Sequence, residues 1–239
     1  MSTLSPDLLD AVAHGAHHDP HSVLGVHPAQ DGWVVRARRP LAREVSIEAA
    51  GSTVPLAHVR AGIWEAELDE HPGSYRVRAT YDGGGEHTLD DGYRHAPSLG
   101  ELDLHLITEG RHEELWRVLG AHVRELDGSS GSAFTVWAPD ARAVRVIGDF
   151  NGWDGTGHAM RSMGASGVWE LFVPDIGVGT RYKFEILTRA GAWIQKADPM
   201  ARAAEVPPAT ASVITESDYT WSDDAWIDER SRTAPLDRP

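Results

Sequence analysis

The sequence contains no cysteine. That excludes disulfides and any zinc site built on thiolates. It holds only two lysines, Lys183 and Lys196, and uses arginine for every other residue of fixed positive charge. Basic residues as a class are scarce, 22 against 36 acidic ones, for a formal net charge of −14. Such a chain repels a phosphate backbone, so neither nucleic acid nor an anionic membrane is expected as a partner. No apolar run approaches the roughly 18 residues that span a bilayer. Met1 to Leu4 lack the basic and apolar stretches of a secretory signal. The expectation is a cytoplasmic, monomeric protein without metal or cofactor, and a neutral polymer such as a polysaccharide suits its charge.

What is present is enough for two ordinary domains: 239 residues, 41% of them hydrophobic. Glycine and proline fall between short apolar segments, as turns between strands do. One helix is predicted at the N-terminus, with Ser5 as cap, Pro6 in the first turn, Asp7 at the positive dipole end, Leu8, Leu9 and Val12 as its apolar stripe and Gly15 as its stop. A second is predicted over Arg111 to Leu119, with Leu115, Trp116 and Leu119 on one face. Tyr75 to Tyr81 and Arg181 to Leu187 alternate with period two, which means one face on a core and one in water. Trp33–Ala37, Glu44–Ala49, Ile63–Leu68, Phe134–Ala138, Ala143–Ile147 and Val168–Val173 read as further strands, rich in β-branched and aromatic residues.

The two halves repeat each other. Val23-Leu24-Gly25-Val26-His27 returns as Val118-Leu119-Gly120-Ala121-His122, and Pro40 to Val45 as Pro139 to Val144. Gly62-Ile63-Trp64-Glu65 returns as Gly167-Val168-Trp169-Glu170, and Gly73-Ser74-Tyr75 has a counterpart in Gly179 to Tyr182. A period near 100 residues makes the unit a whole domain. Short strands with few helices over that length predict a mainly β fold: two tandem immunoglobulin-like antiparallel β-sandwiches, with short helices at the N-terminus and between the domains. The boundary is expected near Thr108 to Glu114, giving domains 1–108 and 109–220 and a linker over 221–239.

Gly148-Asp149-Phe150-Asn151-Gly152-Trp153-Asp154 follows a strand and holds a strong turn signal, Asn151-Gly152. With Val168-Trp169-Glu170 and Tyr182-Lys183-Phe184, it resembles the family 48 carbohydrate-binding module, from about Ser132 to Ile214. His17-His18-Asp19-Pro20-His21 to His27 resembles the opening of glycogen branching enzymes with an extra N-terminal sandwich. Ala197-Asp198-Pro199 and Asp218 to Asp223 resemble that family's approach to its catalytic barrel. The resemblance implies α-1,4-glucan as ligand, a catalytic barrel as partner, and, in the parent enzyme, cleavage of an α-1,4 linkage with transfer to a 6-hydroxyl. Debranching and trehalose-releasing enzymes carry similar modules, but the duplication and the His-His-Asp-Pro-His opening speak against them.

The site residues follow from the resemblance and from ring chemistry. Trp153, on an exposed turn, offers a flat indole to the C–H face of a sugar; the alternative is a plug at the sandwich end. Lys183 faces water if Tyr182 and Phe184 face the core, and it donates to hydroxyls; the alternative is a solvated strand lysine. Trp193, in a hairpin over Ala190 to Lys196, is the second stacking ring that the family implies. Asn151, Gln195 and Lys196 complete the candidates. The family's sugar-binding Asn near the last strand has no counterpart in Ala209 to Val213, where Ser212 stands. Trp64 and Trp169 read as core, and His14, His17, His18 and His21 as loop residues packing one domain on another. The rival to sugar binding is a structural or docking module bracing the barrel. A barrel needs about 250 residues, so no catalytic residue is expected here. Incubated with amylose, the chain should leave the iodine colour unchanged; a time-dependent shift that survives repurification would overturn this.

Overall fold

A computed structural model describes residues 4–232. Helix α1 (Pro6–Ala13) starts where Ser5 accepts a hydrogen bond from the Leu8 N–H at 3.3 Å, and it ends before Gly15, whose φ is +59°. Leu9 and Val12 are buried against Val23, Leu24 and Ile63.

The first half then gives β1 (Gly25–Ala29), β2 (Gly32–Arg38), β3 (Ala42–Ala49), β4 (Ser52–Arg60), β5 (Ile63–Leu68), β6 (Tyr75–Tyr81) and β7 (Glu86–Asp90). They form one antiparallel sheet in the order β1-β2-β5-β4-β3-β6-β7. It curls over itself, so that Val35, Ala37 and Trp64 meet Val45, Ile47, Tyr75 and Val77 in one core.

The second half follows helix α2 (Glu101–Thr108) and gives β8 (Gly120–Leu126), β9 (Ser129–Trp137), β10 (Ala143–Gly148), β11 (Arg161–Ser162), β12 (Val168–Pro174), β13 (Arg181–Leu187), β14 (Trp193–Lys196), β15 (Ala203–Ala204) and β16 (Ser212–Val213). One sheet runs β11-β12-β9-β8 and the other β10-β13-β16-β15, with β14 also paired to β13. Between them lie Phe134, Val144, Val146, Trp169, Leu171, Tyr182 and Phe184. The fold is mainly β, in antiparallel sandwiches. Helix α3 (Asp224–Arg232) closes the described chain.

The helix expected over Arg111 to Leu119 is instead a single 3₁₀ turn at Leu115–Arg117, and the true helix, α2, lies before it. Trp116 is exposed and anchors nothing. α2 packs on Leu99 and, from the second half, on Leu119 and Val168, although it falls within the stretch 1–108.

The duplication holds at the level of single atoms. His27 Nε2 meets Leu24 O at 3.0 Å, and His122 Nε2 meets Leu119 O at 2.9 Å. The indole N–H of Trp64 donates to Arg39 O at 3.1 Å, and that of Trp169 to Ala138 O at 3.0 Å. The Tyr75 hydroxyl donates to Asp91 at 2.6 Å, and that of Tyr182 to Asp198 at 2.5 Å. Each carboxylate also accepts from a backbone N–H two residues on, Tyr93 and Met200. Even the helices correspond: α1 covers Ile63 and Leu24, and α2 covers their counterparts Val168 and Leu119.

The halves are locked by polar contacts. The Tyr93 hydroxyl donates to Gly157 O at 3.1 Å and accepts from the Ala159 N–H at 3.1 Å. Arg38 bridges Ala13 O and Thr156 Oγ1, and Ser162 N–H donates to His18 O at 2.8 Å. Arg161 binds buried Glu170 and donates to His95 O. Three histidines at this seam are held neutral, chiefly because burial disfavours the cation. For His21 the neighbouring cation is Arg161, for His95 it is Arg94, and for His158, lowered to about 4, they are Arg39 and Arg38.

Two outcomes follow. Trp169→Ala removes a ring that is 3% exposed and should cost about 3–5 kcal/mol in denaturant melts, as large core truncations do. For His158, the unfolded residue takes its proton near pH 6.5 and the folded one near 4. Its contribution, roughly 3 kcal/mol by linkage, is therefore intact above pH 6.5 and lost as pH falls to 4. His158→Gln should flatten the fall in urea midpoint between pH 6.5 and 4.5; an unchanged slope would refute the assignment.

Candidate functional site

The site is built from β13. Tyr182 and Phe184 point into the core, so Arg181, Lys183, Glu185 and Leu187 point out. Register extends this outer face sideways. Ile147 pairs with Lys183, Arg145 with Glu185, and Ala143 with Leu187. On the other side Gln195 pairs with Glu185 and Trp193 with Leu187. Lys183, Gln195 and Trp193 therefore share one face, along a strand that spans roughly 20 Å. Lys196 does not: it pairs with the core residue Phe184 and lies on the opposite side of an edge strand.

Trp153 stands at the end of β10. Gly152 and Trp153 are both left-handed, at φ +59° and +64°, and for an indole-bearing residue that conformation costs about 1–2 kcal/mol. The ring is 37% exposed and belongs to no core. A fork from Arg181 fixes the loop, donating to Asp149 at 2.9 and 3.0 Å. These bonds, with a smaller one from Trp153, hold the Asp149 carboxyl below its usual range. Since Arg181 is an outer-face residue, the Trp153 loop is tied to the face that carries Lys183.

Asn151 has a different occupation from the sugar contact expected of it. Its Oδ1 accepts from Gly148 N–H at 2.9 Å, and its Nδ2 donates to Val146 O at 2.9 Å and lies 3.2 Å from His158 Nδ1. Both amide hydrogens are used within the loop, so Asn151 is the strut that shapes it. Ser212 is likewise committed: it is buried and its Oγ accepts from the Asp198 N–H. Thr210, which sequence reasoning passed over, is exposed and accepts from Lys183 Nζ at 2.7 Å. Trp193 is half-buried, and one ring face is covered by Arg145, whose Cζ sits 3.4 Å from the ring centroid. Neither contact had a sequence signal, because each arises from a partner far away in the chain.

The equivalent face of the first sandwich is different in kind. Ser46 stands where Arg145 does, Arg76 where Lys183 does, and Glu86 where Trp193 does. Arg78 ties Glu86 and Glu48 into an ion-pair lattice at 2.6 and 3.6 Å. In place of the Trp153 loop is a tight turn at Ala50-Gly51. That face offers no ring on which a sugar could stack.

Comparison with known proteins gives two family matches. Residues 5–93 match the alpha-1,4-glucan branching enzyme GlgB N-terminal domain, and residues 118–201 match carbohydrate-binding module 48, the isoamylase N-terminal domain. The chain is 52% identical over 239 residues to 1,4-alpha-glucan branching enzyme GlgB of Leifsonia xyli subsp. xyli, covering 97% of this chain and 33% of that protein. It is 56% identical over 232 residues to the enzyme of the same name from Thermobifida fusca, covering 93% of this chain and 31% of that one. The chain thus spans about a third of the length of the curated relatives it matches. Among solved structures, pullulanase type I from Bacillus subtilis complexed with maltose aligns over 80% of this chain and 26% of its own, at 18% identity and a TM-score of 0.38, too low to carry an argument. Over almost its whole length, the chain belongs to the N-terminal region of the 1,4-α-glucan branching enzymes: their N-terminal domain followed by a carbohydrate-binding module 48.

Proposed function

We propose that this chain binds α-1,4-glucan on the outer face of β13 and β14 and the adjoining Trp153 loop, and that it does so in the service of glycogen branching. The observation that carries this reading is Trp153. A large ring is held out of both cores, in a costly backbone conformation, on a loop braced by Asn151 and by the Arg181–Asp149 fork. Strain of this kind gathers at ligand sites. Trp153 and Trp193 stack on sugar C–H faces. Lys183, steadied by Thr210, and Gln195 donate to hydroxyls between them. Asn151 supports the loop, and Lys196 takes no part in this face.

The parent reaction, cleavage of an α-1,4 linkage and transfer to a 6-hydroxyl, belongs to a catalytic barrel that the relatives' greater length accommodates. The segment leading onward exposes Tyr219, Trp221, Trp226 and Ile227, a surface suited to being covered by that barrel. No described helix is long and apolar enough to cross a membrane, and the working reading is a cytoplasmic monomer.

Exposed stacking sites bury little area, so a dissociation constant on the order of 10⁻⁴ M is expected, about −5.5 kcal/mol. Trp153→Ala should weaken glycogen binding about tenfold with an unchanged melting temperature, and Lys183→Ala should cost less. Affinity electrophoresis in glycogen gels reads the first, and thermal melts control for the fold. A Trp153→Ala variant that migrates like the parent but melts much lower would make Trp153 a core residue and remove the site.

A further inference from the structure

Trp193 sits on β14, a short edge strand whose remaining residues are exposed. Arg145 covers one face of the ring. Arg145 itself is 7% exposed, an unusual place for a guanidinium. Its Nη1 lies 3.5 Å from Glu185 Oε2, and its buried Nε has no protein partner. Its stem is boxed in by glycines. A side chain at Gly155 would meet Arg145 Cβ at 2.7 Å, and one at Gly15 would meet Arg145 Cδ at 3.0 Å. Gly155 belongs to the second sandwich's loop, but Gly15 ends α1 of the first half. Gly15 thus lets the first half approach the aliphatic stem closely, while the guanidinium sits over the indole.

We propose that Arg145 is the positioning residue for Trp193, and that through the contact at Gly15 the first sandwich sets the orientation of a glucan-stacking ring on the second. The inference rests on reading Trp193 as a sugar contact. The guanidinium occupies one ring face, so a sugar can approach only from the other. Lysine cannot take over this task, because an ammonium is a hydrated point rather than a plane. The first sandwich, which lacks a stacking face of its own, contributes to binding by holding Arg145 in place.

The test uses the full chain in glycogen gels. Arg145→Lys keeps the charge opposite Glu185 but removes the plane, and should weaken binding by a factor of about two to five. Gly15→Ala, which pushes on the stem, should shift binding in the same direction. Trp193→Ala should weaken it about tenfold, and Arg145→Lys combined with Trp193→Ala should bind no worse than Trp193→Ala alone. Tryptophan emission supplies a readout independent of sugar: Arg145→Lys should shift it in the parent chain but not in a Trp193→Phe background. If Trp193→Ala weakens binding while Arg145→Lys does not, or if the two losses multiply, Arg145 does not act through Trp193. If Trp193→Ala leaves binding untouched, the glucan reading of that ring has failed and the inference falls with it, whatever the emission shows.

Discussion

The outer face exists only because Tyr182 lies inward. A buried phenol needs a partner, and Asp198 supplies one at 2.5 Å. Burial pushes both groups upward in pKa, the phenol and the carboxyl alike, so the pair is most comfortable with the proton kept. That single bond sets the phase of β13. With Tyr182 and Phe184 inside, Lys183 and Glu185 have no choice but to face out, and Arg145, Gln195 and Trp193 follow by register. A slip of one residue would drive Lys183 into the core.

The same bond recurs between Tyr75 and Asp91, so the frame was fixed in both copies while the outward residues were free to differ. In one copy they became arginine and glutamate, which satisfy each other. In the other they became tryptophan, lysine and glutamine, which leave valences open toward solvent. Tyr75 and Tyr182 are inward in both copies, whereas outward Lys183 and Gln195 stand in one where Arg76 and Thr88 stand in the other.

Sequence pattern made visible whatever depends on neighbours along the chain. Period two in Arg181 to Leu187 located β13 to the residue, and Asn151-Gly152 located the exposed turn. It did not reveal α2 over Glu101–Thr108, which Gly100 and Gly110 bound and which packs on Val168 and Leu119. β4 was missed because Pro55 and a register shift near His58 blur its alternation. Thr210 and Arg145 join the site only through distant partners, which no local pattern reveals. The rarity of lysine drew attention to Lys196, but rarity is not a direction in space, and counting by two from Trp193 sets it on the far side from Gln195.

Helix α2 alters where a module can be cut. It is the counterpart of α1, so the copied unit was a helix with its sandwich, and each helix roofs the sheet that follows it in the chain. A fragment begun just after Thr108, at the boundary that the sequence repeat suggests, would leave Leu119 and Val168 without the helix that covers them. A cut made instead between β7 and Glu101 keeps α2 with the residues it covers. Excised there, the second sandwich would carry its own roof but lose the clasp of Tyr93 and the close approach at Gly15.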